Sequence, residues 1–168
     1  MILIREVADA PVIMGISKPA GLKSPCEEVK IVNPLFVGID VSSKNNVAYL
    51  MNPDGSKHSS FSVQNNFGGA KLLSERIVSA LSSMRLSDVV IGLEATSIYG
   101  DSLVYALRED GRLGRFQRKI HVLNPKQVRK FKEAYPDLPK NDWVDAFVIA
   151  DHLRFCLLYT SPSPRDLS

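Results

Sequence analysis

Sulfur, histidine and tryptophan are scarce in this chain. The two cysteines, Cys26 and Cys156, lie far apart. They provide neither a disulfide framework nor metal-knuckle spacing, so a reducing compartment and a cytoplasmic protein are expected. The three histidines, His58, His121 and His152, are too scattered to form a ligand set and read as structural or solvated. No apolar stretch approaches the roughly 20 residues of a membrane-spanning helix, which argues against an integral membrane protein. The N-terminus also lacks the basic start, long apolar core and small-residue cleavage site of a signal peptide. Charge of one sign is not in large excess: 21 Lys/Arg against 18 Asp/Glu leave +3, which by itself identifies no partner. With 168 residues, the chain has room for one ordinary domain. Its 45% apolar content is enough for a core, and 23% charged residues are too few for disorder of the whole chain.

The positive charge is concentrated. Between Arg108 and Lys132 there are nine Lys/Arg, opposed only by Glu109 and Asp110, a local net of +7. Proline is also concentrated, at Pro11, Pro19, Pro25 and Pro34, and no apolar period persists there. Residues 1–34 are therefore expected to be a loosely ordered extension. One reading starts the natural protein at Val32, from an alternative start codon, and treats residues 1–31 as translated upstream sequence. The other is a real extension that packs somewhere.

Regular patterning begins at Leu35. Leu35 to Val41 is a near-continuous apolar run of strand length, suited to a strand buried on both faces. Asn46–Asn52 and Ser59–Val63 read as two further strands, separated by the turn Asn52-Pro53-Asp54-Gly55-Ser56, and the three predict an antiparallel meander. Leu73, Ile77, Ala80, Leu81 and Met84 mark one face of an amphipathic helix. A second buried-type run, Val89 to Leu93, lies within Asp88–Glu94. Thr96 or Ser97 can cap a helix carrying Tyr99, Leu103, Ala106 and Leu107 on one face, with Tyr105 at its boundary. Lys119–Leu123 is a short fifth strand. Asn124 and Pro125 open a basic helix, and Asn141 caps a last helix to about Phe155. A meander followed by alternating helices and strands predicts an α/β fold, a mixed five-stranded sheet flanked by helices.

Four carboxylates stand out by position. Asp40 and Glu94 end the two buried strands, and Asp142 and Asp145 share a face at the start of the last helix. Sites in open α/β sheets form at carboxyl ends of strands where the order reverses. If the two buried strands are neighbours, all four acids converge there. Two like charges about 4 Å apart repel by roughly 4 kcal/mol at an effective dielectric near 20, and a hard divalent cation, Mg²⁺ or Mn²⁺, relieves that repulsion. Such a cluster suits phosphodiester chemistry, and the adjoining basic helix, with Lys126, Arg129, Lys130 and Lys132, suits a phosphate backbone. Singly, each acid reads equally well as a turn, a cap or a first-turn helix acid, and the basic helix as a solvated face. Trp143 reads as core packing.

Three segments carry a resemblance. Phe36-Val37-Gly38-Ile39-Asp40-Val41-Ser42, Gly92-Leu93-Glu94-Ala95-Thr96 and Lys140-Asn141-Asp142-Trp143-Val144-Asp145-Ala146, with Asn124-Pro125-Lys126-Gln127-Val128 between, resemble the N-terminal domain of the DEDD transposases. These are insertion-sequence relatives of the pilin-gene invertase Piv. The resemblance covers residues 34–155. It implies a RuvC-like, ribonuclease-H-type fold over a domain at 35–155 and Mg²⁺ held by the tetrad Asp40, Glu94, Asp142 and Asp145. It also implies DNA transposition and recombination by strand cleavage and exchange. DNA is the implied partner, a guide (bridge) RNA a further one, and the full-length protein a homo-oligomer. Asn141 stands where Thr or Ser is commoner in the family.

Family members carry a second domain with a serine nucleophile. Residues 156–168 instead resemble the translation of a sequencing-library adapter, so an artefactual tail is expected, with a natural Ser/Pro-rich tail as the alternative. On that expectation the chain is a truncated, inactive fragment that binds metal and nucleic acid. Two other readings stand beside it. One is a non-catalytic nucleic-acid-binding module of the same fold. The other rests on Gly38-Ile39-Asp40-Val41-Ser42, which also resembles the first phosphate motif of actin/sugar-kinase ATPases. That class needs a second phosphate loop and a Gly-rich adenosine motif, which are not visible here, and two lobes, for which the chain is too short.

Overall fold

The structure is a computed structural model that describes residues 5–6, 32–94 and 98–160. The expected start at Val32 turns on residues 1–31, of which only 5–6 are described. The expected caps Thr96 and Ser97 and the tail beyond residue 160 lie outside the described residues. In chain order the elements are β1 (Arg5–Glu6), β2 (Leu35–Val41), β3 (Asn45–Met51), β4 (Lys57–Gln64), α1 (Phe67–Met84), β5 (Asp88–Glu94), α2 (Ile98–Glu109), β6 (Gln117–Leu123), α3 (Pro125–Lys132) and α4 (Asp142–Thr160).

The sheet runs β1-β6-β5-β2-β3-β4. The expected meander is present: β2, β3 and β4 pair antiparallel in sequence order. The chain then crosses back so that β5 pairs parallel to β2, and β6 parallel to β5. These five strands are the mixed sheet foreseen in the sequence, and the two-residue β1 adds a short antiparallel edge on β6. The reversal of strand order falls between β2 and β5.

Alternating residues along the central strands feed two cores. Leu35, Val37 and Ile39 of β2, with Val89, Ile91 and Leu93 of β5, pack with Leu73, Ile77 and Leu81 of α1 and Leu103 and Leu107 of α2. Phe36 and Val90 point the other way and pack with Val128 of α3 and Val148, Ile149, Ala150 and Leu153 of α4. Burial on both sides explains the uninterrupted apolar runs. Each large apolar side chain so buried contributes roughly 1.5–3 kcal/mol.

Side-chain caps start the helices where the sequence has Asn. Asn66 Oδ1 accepts from the Gly69 amide at 2.8 Å, Asn124 Oδ1 from Lys126 at 2.9 Å, and Asn141 Oδ1 from Val144 at 2.9 Å. Each satisfies an amide that has no partner within its own helix.

Several expectations need correction. α4 passes its expected end near Phe155 and continues to Thr160. Trp143 is not core: it stays 45% exposed in the first turn of α4. Tyr99 and Tyr105 are exposed too, because α2 presents Leu103, Val104 and Leu107 to the sheet. Among the described residues, no helix is long and apolar enough to cross a membrane.

Candidate functional site

Strand alternation decides which face the strand-end acids take. In β2, Phe36 and Gly38 face α4, so Asp40, two residues further, falls on that side as well. In β5 the same parity runs through Val90, Gly92 and Glu94. The last printed pair of the parallel ladder is Ile39 with Leu93, so Asp40 and Glu94 are the next residue on each strand. Both are half-buried at the carboxyl end of the sheet, at the reversal of strand order.

Two glycines then let α4 lie almost on the sheet. A Cβ on Gly38 would sit 2.1 Å from the carbonyl oxygen of Ala146 and 2.5 Å from the amide nitrogen of Ala150. A Cβ on Gly92 would sit 2.7 Å from Leu153 Cδ1. The facing positions on α4, Ala146 and Ala150, are small and fully buried. This close approach brings the first turn of α4, with Asp142 and Asp145, over the end of β2.

Carboxylate oxygens of Asp40, Asp142 and Asp145 lie within 4.8 Å of one another. Glu94 is not part of that tight group, although it is near enough for its charge to be felt. Burial first, then the charges of Asp142, Asp145 and Glu94, push the Asp40 carboxyl up to about 7, while Lys132 opposes the shift. Burial and then Asp145 also raise Glu94, against Arg129 and Lys132. Desolvation and like charge both disfavour the ionised form. The donor set fits a hard cation: it is all carboxylate oxygen, and opposite ligands of Mg²⁺ stand about 4 Å apart, within reach of small side-chain rotations.

The four named cations of the basic helix do not act alike. Lys126, Arg129 and Lys130 are exposed. Lys132 is half-buried and turned inward, with Nζ 2.5 Å from Asp145 Oδ1. Sequence reasoning took Lys132 only as a phosphate contact and missed this pair. The available signal was its place at the end of α3, facing the start of α4.

A second feature was missed. Tyr135, in the α3–α4 connector, donates its hydroxyl to Asp151 Oδ2, and Arg154 Nε donates to Asp151 Oδ1 at 3.1 Å. Burial, then the Asp151 bond, push the Tyr135 phenol up to about 12. Phe131 stacks on His152 at 5.0 Å between ring centres and meets Tyr135 edge-on at 5.9 Å. These contacts fix the connector that joins the basic helix to the two acids of α4. They also account for the buried His152, whose Nδ1 lies 3.1 Å from Cys156 Sγ. His58 is exposed.

A family model described as Transposase, the DEDD type of IS110, matches residues 37–167. No curated protein matches the chain. Among solved structures it is similar to T. thermophilus RuvC in complex with a Holliday junction substrate, with 13% identity and a TM-score of 0.50 over 76% of this chain and 97% of that one. A second Thermus thermophilus RuvC structure gives 14% identity and a TM-score of 0.49 over 75% and 97%. The Fowlpox virus resolvase with Holliday junction DNA gives 16% and 0.45 over 74% and 99%. The likeness to RuvC is one of fold, ribonuclease-H-like, as the sequence segments implied.

Proposed function

Since the chain belongs to the IS110-type DEDD transposase family, and so to proteins of DNA recombination, we propose that Asp40, Asp142 and Asp145, with Glu94 beside them, hold Mg²⁺ or Mn²⁺ for cleavage and exchange of DNA strands. The observation that carries this reading is the convergence of three acids from opposite ends of the domain within 4.8 Å. A divalent cation bound there supplies Lewis acidity and a lowered pKa for an attacking oxygen. The protein's own part is positional. Strand β2 fixes Asp40, strand β5 fixes Glu94, and the Gly38 contact seats α4 so that Asp142 and Asp145 face them.

The partner in this reading is DNA in the cytoplasm, held by the exposed Lys126, Arg129 and Lys130 of α3. Those side chains sit on the helix that also carries Lys132 to the acids, so a bound phosphate backbone lies beside the cluster. The Holliday junction bound to T. thermophilus RuvC supports branched DNA as the substrate class.

Binding of a labelled four-way DNA junction, followed by fluorescence anisotropy, tests the reading. Mg²⁺ is expected to tighten binding about tenfold in the wild-type chain and not at all in Asp40→Asn. The triple change Lys126→Gln/Arg129→Gln/Lys130→Gln is expected to flatten the log–log salt slope by about 2–3, since each lost phosphate contact removes about 0.9. A junction affinity indifferent to both variants contradicts the reading.

A further inference from the structure

We propose that Lys132 is the resident counter-ion of the acid cluster, competing with a divalent cation for Asp145 and turning to a phosphate once displaced. This rests on the reading that the cluster binds metal. Three observations carry it.

First, the ammonium group is already where a cation belongs: Lys132 Nζ lies 2.5 Å from Asp145 Oδ1, and Asp145 is one of the three converging acids. Second, the charge of Lys132 reaches beyond its direct partner, opposing the upward shifts of both Asp40 and Glu94. Third, its backbone is pinned by its neighbours while its side chain is held at the tip, by Asp145. The neighbouring Phe131 is locked among Tyr135, His152 and Phe155. Lys132 itself keeps a flexible four-carbon stem, a compact charge and three rotatable donors.

A lysine fixed at its root and held only by charge at its tip has two stable arrangements. With the acids bare it sits on Asp145. Once a divalent cation holds those acids, Lys132 is repelled by it and swings toward solvent on the α3 side, where Lys126, Arg129 and Lys130 already offer positive charge. It thereby joins the phosphate-binding row only when the site is loaded, which couples cation binding to the grip on nucleic acid.

Calorimetric titration of Mg²⁺ into the whole chain tests this with three proteins. Lys132→Gln, which removes the charge and keeps most of the length, is expected to bind Mg²⁺ about tenfold more tightly than wild type. Lys130→Gln removes the same charge from the exposed side of the same helix and is expected to leave Mg²⁺ affinity within twofold. With Mg²⁺ present, Lys132→Gln is also expected to bind the DNA junction several-fold more weakly than wild type. Mg²⁺ binding to wild type that is unchanged or weaker in Lys132→Gln overturns the counter-ion role and leaves the metal reading standing. An equal gain in Lys130→Gln overturns direct competition in favour of a general field. No Mg²⁺ binding in either wild type or Lys132→Gln overturns the metal reading, and this inference with it.

Discussion

The two faces of the sheet are built on different terms. On one, α1 and α2 bury Leu73, Ile77, Leu81, Leu103 and Leu107 against the odd-numbered residues of β2 and β5, among others. On the other, α4 lies close on Gly38 and Gly92 through Ala146, Ala150 and Leu153, and brings acids, a lysine and an aromatic cluster with it. The first face resembles an ordinary core, in which large side chains set the helix–sheet spacing. On the second, small residues let backbone meet backbone, and that proximity aligns side chains from β2 and α4. A cleft of about 890 Å³ lies on the first face beside Phe67, Leu103 and Tyr105, and none of the four acids lines it. The difference teaches that in this domain the convergence of the acids follows close helix seating rather than concavity.

The sharpest way to break the contrast is to unseat α4. Gly38→Val places atoms inside contact distance of the Ala146 and Ala150 backbone, so a loss of about 3 kcal/mol, the upper end for overpacking, is expected in urea unfolding. Mg²⁺ affinity should be lost in whatever fraction remains folded. Gly111, where a Cβ meets nothing within 4 Å, gives the matching control: Gly111→Ala should leave both properties unchanged. Leu73→Ala should cost about 2–3 kcal/mol by opening a cavity on the opposite face, with Mg²⁺ affinity of the folded protein intact. If Leu73→Ala abolishes metal binding as Gly38→Val does, the two faces are not separable.

A smaller effect sharpens the comparison from the electrostatic side. The Asp40 carboxyl rises from 3.8 to about 7 on folding. Between those values the folded state holds a proton that the unfolded state has released, so the stability of the metal-free protein falls as pH rises through that window. Asp40→Asn removes the penalty. After allowance for solvent screening of a half-exposed group, the variant should be more stable than wild type by on the order of 1 kcal/mol at pH 8 in EDTA. That corresponds to a melting temperature higher by about 2–4 °C. The difference should vanish below pH 4. A variant less stable than wild type at pH 8 would show that Asp40 is held by favourable contacts instead.

Much of this was legible in the sequence because the signals were local. Unbroken apolar runs marked β2 and β5, and Asn124 and Asn141 marked the starts of α3 and α4. The parity that puts Asp40 and Glu94 on one face is written in the strand alternation itself. What was not legible depended on tertiary spacing. Trp143 reads as core packing from the sequence, yet in the first turn of α4 it is 45% exposed. The Lys132–Asp145 pair joins two helices whose separation is set by the connector, and that connector is held by Tyr135 and Asp151, residues with no local signature of their partnership. Glu94 shares the strand-end position of Asp40 but stands apart from the tight cluster, a distinction that no pattern encodes.

The central claim is that acids from β2 and α4 together form a cation site. Calorimetric titration of Mg²⁺ and Mn²⁺ into the wild-type chain and into Asp142→Asn/Asp145→Asn, both verified as folded by circular dichroism, tests it most directly. The account predicts saturable binding to wild type and none to the double variant. Equal affinity in the two proteins contradicts it.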